Sequence, residues 1–169
     1  AQMYNTDTEE SLLCCIINKQ SYIPIVSKWI EDDDVFYGSF NKDLWRTIKK
    51  MYDSGDSIDA VSLVHRFPAK NHEGKEIAYV ISGIATKEPT FTMAERYAQL
   101  IHEHWLRRKM INHSHEIIKT AEDNSIDLDS LINKLNNDSS NLINLRPSKN
   151  DFDIDEVLSE TNDSIFNSK

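Results

Sequence analysis

Residues 36–67, FYGSFNKDLWRTIKKMYDSGDSIDAVSLVHRF, decide how the chain folds. Phe40, Leu44, Ile48, Met51 and Tyr52 recur at helical spacing and share one face. Gly55 follows the last of them, where a helix ends most easily in a left-handed residue. Asp59 then stands where a side-chain oxygen caps a second helix. In that helix Ala60, Leu63, Val64 and Phe67 repeat at i, i+3, i+4 and i+7, and Pro68 stops it. On periodicity alone this is a helical hairpin of the kind any small bundle contains.

Outward from this pair, the rest of the chain also reads as helix. A first helix is expected over about Thr8–Asn18, opened by Asp7 with Glu10 three residues on. Leu12, Leu13, Ile16 and Ile17 make it apolar on most sides, so it should be central. A second runs from Ser21 to Ile30, with Pro24 tolerated in its first turn and Tyr22, Val26, Trp29 and Ile30 inward. Another, near Lys75–Ala85, aligns Ile77, Val80, Ile81 and Ile84. From about Thr92 to Asp123 neither Gly nor Pro interrupts the pattern. That stretch would span about 45 Å at a rise of 1.5 Å per residue, too long to lie wholly on a small head. Its first half offers Tyr97, Leu100, Ile101 and His104 to the head, and its second half projects.

After a break at Asp123-Asn124-Ser125, Leu128, Leu131, Leu135, Leu142 and Leu145 occupy heptad core positions, with Asp138 interrupting. The two rods should form an antiparallel hairpin. A bare two-helix hairpin has apolar surface left over and invites a partner. The expected interface residues are Met110, Ile117, Ile118, Leu131, Leu135 and Leu142. Arg146–Asn150 reads as a linker. Beyond it, Ile154, Val157, Leu158, Ile165 and Phe166 form an amphipathic stripe suited to docking on another molecule. The expected fold is therefore all-α: a small helical bundle over 1–100, a projecting antiparallel hairpin over 101–146, and a linker with its helix over 147–169.

Composition agrees with helices and narrows the function. The 169 residues are 39% hydrophobic and 28% charged, with only four glycines and four prolines. No apolar run reaches the length of a bilayer span, and no basic-then-apolar signal segment opens the chain. Cys14 and Cys15 are neighbours inside an apolar helix, about 100° apart around its axis, and read as core residues of a reduced, cytoplasmic protein. The net charge of −9 argues against a dedicated nucleic-acid binder. The acidic excess is heaviest after Lys119, where it would repel phosphate and attract a basic protein surface.

Candidate chemistry is sparse. A nucleotide-hydrolysing motor needs G-x-x-x-x-G-K-[ST] to cradle phosphates, and Gly38, Gly55, Gly74 and Gly83 supply no such loop. No ATP hydrolysis, cofactor or catalytic residue is expected from these residues. His102, His104, His113 and His115 resemble metal spacing at a glance. Within each H-x-H pair, however, the rings point about 200° apart on a helix. His102 and His113 share a face but stand about 16 Å apart. They read as surface histidines, and no metal is expected. Asp32-Asp33-Asp34 reads as a solvated, capping turn. Arg107-Arg108-Lys109, the one tight basic cluster, reads as a solvated or salt-bridging face.

The order of signals resembles the N-terminal domain of DnaB-type replicative helicases. Phe36-Tyr37, the Trp45 helix, the Ser54-Gly55 turn, Ile58-Asp59 and the Ser62-Leu63 helix follow one another as they do in that family. Thr8–Ile17 is similar to its first helix, Ala78–Ile81 to its Tyr-Leu helix, and Tyr97–Ile101 with Arg107-Arg108 to the start of its long helix. Only Gly74 stands where the family often has paired glycines. The resemblance implies a non-catalytic collar. Such collars pair through their hairpins, assemble as a trimer of dimers in a hexamer, and receive primase or a loader. It also implies that ATP and magnesium belong to a separate motor domain, that 154–166 is the linker helix, and that the setting is a bacterial or phage-infected cell. The alternative is a DNA-binding or regulatory protein using the 39–67 pair as a helix-turn-helix, with Val61, His65 and Arg66 presented.

Overall fold

Asn5, rather than Asp7, opens the first helix: its Oδ1 accepts from the Thr8 amide at 3.0 Å, and α1 runs Thr6–Asn18. Asp7 lies in the first turn, where its carboxylate pairs with Lys87 at 2.7 Å. In this computed structural model, residues 3–70 and 73–147 are described. Leu12, Leu13, Cys14, Cys15 and Ile16 are fully buried, so α1 is the central rod expected of it.

The second helix is shorter than its apolar pattern. A 3₁₀ turn over Gln20–Tyr22 leads into α2, Ile23–Ser27. The next amides, Lys28 and Trp29, bond three residues back to Ile25 and Val26. That tightening ends the helix before Ile30, yet Ile23, Val26 and Ile30 still reach the core. A second 3₁₀ turn, Asp33–Val35, is capped by Asp32, whose Oδ1 accepts from the Asp34 amide at 2.8 Å.

Helix α3 spans Ser39–Asp53 and buries Leu44, Trp45, Ile48 and Met51. Its entry is fixed by a buried carboxylate. Glu9 of α1 accepts from the amides of Tyr37 and Gly38 and from Asn41 Nδ2, at 2.6, 3.2 and 2.8 Å. A Cβ on Gly38 would stand 3.2 Å from Glu9 Oε2 and 3.0 Å from Asn41 Nδ2, so any larger residue would press these two side chains to give way by a few tenths of an ångström. The exit is a Schellman turn: Asp56 donates to Met51 and Gly55 to Tyr52, with Gly55 at φ +73°.

Asp59 then accepts from the Ser62 amide at 2.8 Å and opens α4, Ala60–Val64. The amides of Arg66 and Phe67 bond only three residues back, so the expected longer helix closes early. Phe67 nevertheless reaches Phe40, with ring centroids 5.6 Å apart. Helix α5, Ile77–Ala85, buries Ile77, Ile81 and Ile84. Its C-terminal end is tied to α1 by Asn18 Nδ2 donating to the Ala85 carbonyl at 2.9 Å.

A turn at Phe91–Met93 starts α6, which runs unbroken over Ala94–Glu122. Its buried residues are Ala94, Ala98, Ile101, His102 and Trp105, all in its first half. The face is rotated from the expected one: His104 is only half-buried, and His102, read from sequence as a surface residue, is 6% exposed. Helix α7, Leu128–Asn144, opens on Asp127, which accepts from the Ser130 amide, and it buries nothing fully. The described residues are thus all-α: a head built from α1–α5 and the start of α6, then a two-helix projection. Helix α6 passes through the expected 100/101 boundary without a break, joining head and hairpin mechanically. None of the described helices is long and apolar enough to cross a membrane.

Candidate functional site

The projection has two kinds of apolar residue. His113, Ile117 and Thr120 on α6 lie at i, i+4 and i+7, and Leu131, Asp138 and Leu142 on α7 share a face in the same way. All six are half-buried. His113 Nδ1 stands 3.4 Å from Asp138 Oδ2, so these two faces form the seam between antiparallel α6 and α7. Lys134 Nζ approaches the same carboxylate oxygen at 3.3 Å. The Asp138 that interrupts the heptad pattern is therefore engaged inside the hairpin.

The second set faces outward. Leu128, Ile132, Leu135 and Ile143 fall at i, i+4, i+7 and i+15 along α7 and are all exposed, Leu128 and Ile143 by more than two thirds. Met110, Ile111 and Ile118 are exposed on α6. Of the six residues expected at an interface, Met110, Ile118 and Leu135 are on open surface, while Ile117, Leu131 and Leu142 are turned toward the seam. Sequence reasoning missed Ile111, Leu128, Ile132 and Ile143 as a surface set. The signal was present in their spacing but was hidden by a heptad frame that assigned Leu128 to the seam. Ile154, Val157, Leu158, Ile165 and Phe166 lie outside the described residues.

Where the hairpin meets the head, polar groups set the geometry. Arg108 is drawn in rather than solvated: it donates to the carbonyls of Met3 and Val35 at 2.8 and 2.9 Å. Its guanidinium also lies 5.5 Å from the centre of the Tyr37 ring, which stacks on Tyr4 at 3.8 Å. Arg108 thereby clamps the N-terminal segment and the 33–37 loop onto α6. Asp34 receives Trp105 Nε1–H at 3.2 Å, Lys109 at 3.2 Å and Lys42 at 3.3 Å. The indole donor first, then the two ammonium groups, hold its pKa down at about 2. The acidic turn is thus more than a solvated cap: it is an anchor for the base of the long helix.

Cys14 and Cys15 are free and buried, and burial pushes the Cys15 thiol up to about 11, so it stays protonated and inert. No cluster of His, Cys, Asp and Glu that could hold a metal occurs among the described residues. The second helix of the 39–67 pair has only five residues, short for the recognition helix of a helix-turn-helix, and Arg66 beside it is held by Asp56 at 2.9 Å.

A family model described as the DnaB-like helicase N-terminal domain matches residues 1–103. The crystal structure of the N-terminal domain of DnaB helicase from Mycobacterium tuberculosis has the same fold, with a TM-score of 0.68 and 18% identity over 79% of this chain and 97% of that one. No curated protein shows significant similarity to the chain. A match across more than half of its length, on a helical head whose order of caps and turns is the one described above, makes this chain a member of the DnaB-like helicase N-terminal domain family.

Proposed function

We propose that this chain is a non-catalytic assembly domain of a replicative helicase, pairing with a second copy through its hairpin and helping to build the helicase ring in a bacterial or phage-infected cell. The observation that carries this reading is the outward apolar stripe Leu128, Ile132, Leu135 and Ile143, flanked by Met110, Ile111 and Ile118. Water is a poor neighbour for such a stripe, and an identical stripe on a second copy would cover it in a two-fold, self-complementary contact. Burial of about 800 Å² per partner would make a standard interface. The half-buried residues Ile117, Leu131 and Leu142 serve pairing indirectly, by holding the two rods at a fixed spacing.

Three such pairs could close a hexamer, with primase or a loader received on the collar and the motor supplied by sequence outside the collar. ATP and magnesium would act only in that motor. The residues Ile154, Val157, Leu158, Ile165 and Phe166 have the stripe of a linker helix that docks on a motor domain. Sedimentation equilibrium at micromolar concentration tests the pairing step. The expected result is a dimer that Ile132→Asp converts to a monomer with an unchanged helical spectrum. A wild-type chain that stays monomeric throughout would remove the reading.

A further inference from the structure

Where the loop before α3 packs on α6, Arg108, Lys109 and Lys42 line a cleft of about 290 Å³, with Asp34 the one carboxylate among its lining residues. Lys109 and Lys42 approach Asp34 at 3.2 and 3.3 Å, so a single negative charge is shared by two ammonium groups. Arg108 spends N–H groups on the carbonyls of Met3 and Val35, which accept but carry no net charge. No carboxylate stands within ion-pair distance of its guanidinium among the described residues. Burial lowers its pKa, and the charges of Glu9 and Asp34, acting from further away, offset that only in part. Three cations against one carboxylate leave the cleft with a net charge of +2.

That excess is local. The whole chain carries −9, and two clefts that share Lys109 with this one are net negative, through Glu31, Asp32 and Asp34 in one and Glu116 and Asp138 in the other. An anionic side chain near the junction is therefore steered toward Arg108 rather than toward the neighbouring surface. Both of those clefts are also lined by Leu145, so the chain leaves α7 beside Lys109. Residues 151–156, which lie outside the described residues, read Asp-Phe-Asp-Ile-Asp-Glu: four carboxylates and no cation. At no more than about 3.5 Å per residue, Asp151 stays within about 14 Å of Pro147 and Glu156 within about 32 Å.

We infer that this cleft receives the acidic segment 151–156 of the same chain, its carboxylates placed against Arg108, Lys42 and Lys109. Carboxylates are the chemistry these groups lack: a guanidinium pairs with both oxygens of one, and an ammonium group with either. The short tether keeps the segment at an effective concentration on the order of millimolar, so individually weak contacts suffice. The inference does not depend on pairing. Residues from Ile154 onward are also those proposed above to dock on a motor domain. On that reading the cleft and the motor compete for one segment, and the head holds the linker until a motor domain takes it.

Zero-length carbodiimide cross-linking of the full 169-residue chain tests this, because it joins an amine to a carboxylate only where the two touch. An equal mixture of ordinary and ¹⁵N-labelled protein separates links within a chain from links between chains. The expected product joins Lys42 or Lys109 to one of Asp151, Asp153, Asp155 and Glu156 within a chain. Its yield should fall about fivefold or more at 1 M salt, where the screening length is about 3 Å. Links from the same two lysines to Asp34 serve as the internal standard. Lys50 and Lys119, exposed elsewhere, should give far fewer links to 151–156. A second readout covers Arg108, which this chemistry does not label. Its Nε–H resonance should move when Asp151→Asn, Asp153→Asn, Asp155→Asn and Glu156→Gln are combined. An unmoved Arg108 signal, links spread evenly over Lys50, Lys119 and the cleft lysines, or links found only between chains would each overturn the inference. Sedimentation of the same samples reports pairing separately, so loss of one result leaves the other standing.

Discussion

The head and the hairpin are built from the same kind of amphipathic helix but solve opposite problems. In the head, α1 has no polar face: Leu12 through Ile16 are all enclosed, and polar groups that enter are matched, as Glu9 is by three donors. In the hairpin, no residue of α7 is fully buried, and its two apolar stripes look in different directions. One stripe meets α6 and the other meets solvent. Enclosure makes the head a folding unit. The hairpin is left with apolar surface that its own helices do not cover, and its stability in isolation rests on a narrow seam containing a His–Asp contact.

The contrast predicts that disruptive substitutions in the two regions will have different consequences. Trp45, packed at 5.9 Å from Phe36 and 2% exposed, should cost about 3–5 kcal/mol when replaced by alanine, through lost transfer energy and the cavity left behind. Chemical denaturation followed by far-ultraviolet circular dichroism measures this. Leu135→Asp, on the outward stripe, should leave the denaturation midpoint of the monomer nearly unchanged and weaken association by about 2 kcal/mol or more. Sedimentation read alongside denaturation separates the two. A Leu135→Asp protein that unfolds as Trp45→Ala does would place Leu135 in a core and erase the distinction between the regions.

A smaller effect is expected at Asp59, whose carboxylate caps α4 and is pulled to lower pKa chiefly by the Ser62 amide. Asp59→Ala should destabilise the short helix by less than the Trp45 truncation destabilises the head, as loss of a helix cap does, and Asp59→Asn much less again because the amide oxygen still accepts. Hydrogen exchange at Ser62 and Leu63 would localise the loss to the short helix. Uniform loss of protection across α1 and α3 would instead show that α4 is integral to the core.

How far the sequence led depended on whether the deciding interaction was local. The Gly55 turn, the Asp59 cap and the Leu44–Ile48–Met51 face were readable because each involves residues a few positions apart. The same holds for the long α6 and the break before α7. What escaped was set by distant partners. Asp7 was expected to cap α1, but Lys87, eighty residues away, holds it, and Asn5 took the role. His102 looked like a surface histidine because its partner, the Trp29 carbonyl, is invisible to periodicity. Arg108 looked solvated for the same reason, since its acceptors are the carbonyls of Met3 and Val35. On the hairpin, a heptad frame found the leucines but not their sides. Deciding which of Leu131 and Ile132 faces α6 required the crossing point fixed by His113 and Asp138.

The junction between the two regions offers the finest comparison, because Asp34 ties the base of α6 to the head through Trp105, Lys109 and Lys42. Its folded pKa of about 2 lies below its ordinary 3.8. A carboxylate held down on folding contributes stability that is complete above the ordinary value and is lost as pH falls from about 3.8 to about 2. Because the carboxylate is about half exposed, solvent screening limits the contribution to on the order of 0.5 kcal/mol. Asp34→Asn cannot ionise, so it removes this share of the acid-dependent slope while Trp105 Nε1–H keeps an oxygen to donate to. Stability measured at pH 6 and again near pH 3 should therefore fall less in Asp34→Asn than in the wild type. The difference should appear in probes at Trp105 before it appears at Trp45, since the first indole is bonded to the titrating group and the second is enclosed away from it. Identical acid slopes in the two proteins would mean that Trp105, Lys109 and Lys42 find no purchase on Asp34 in solution, and that the hairpin is held to the head by Arg108 and apolar packing alone.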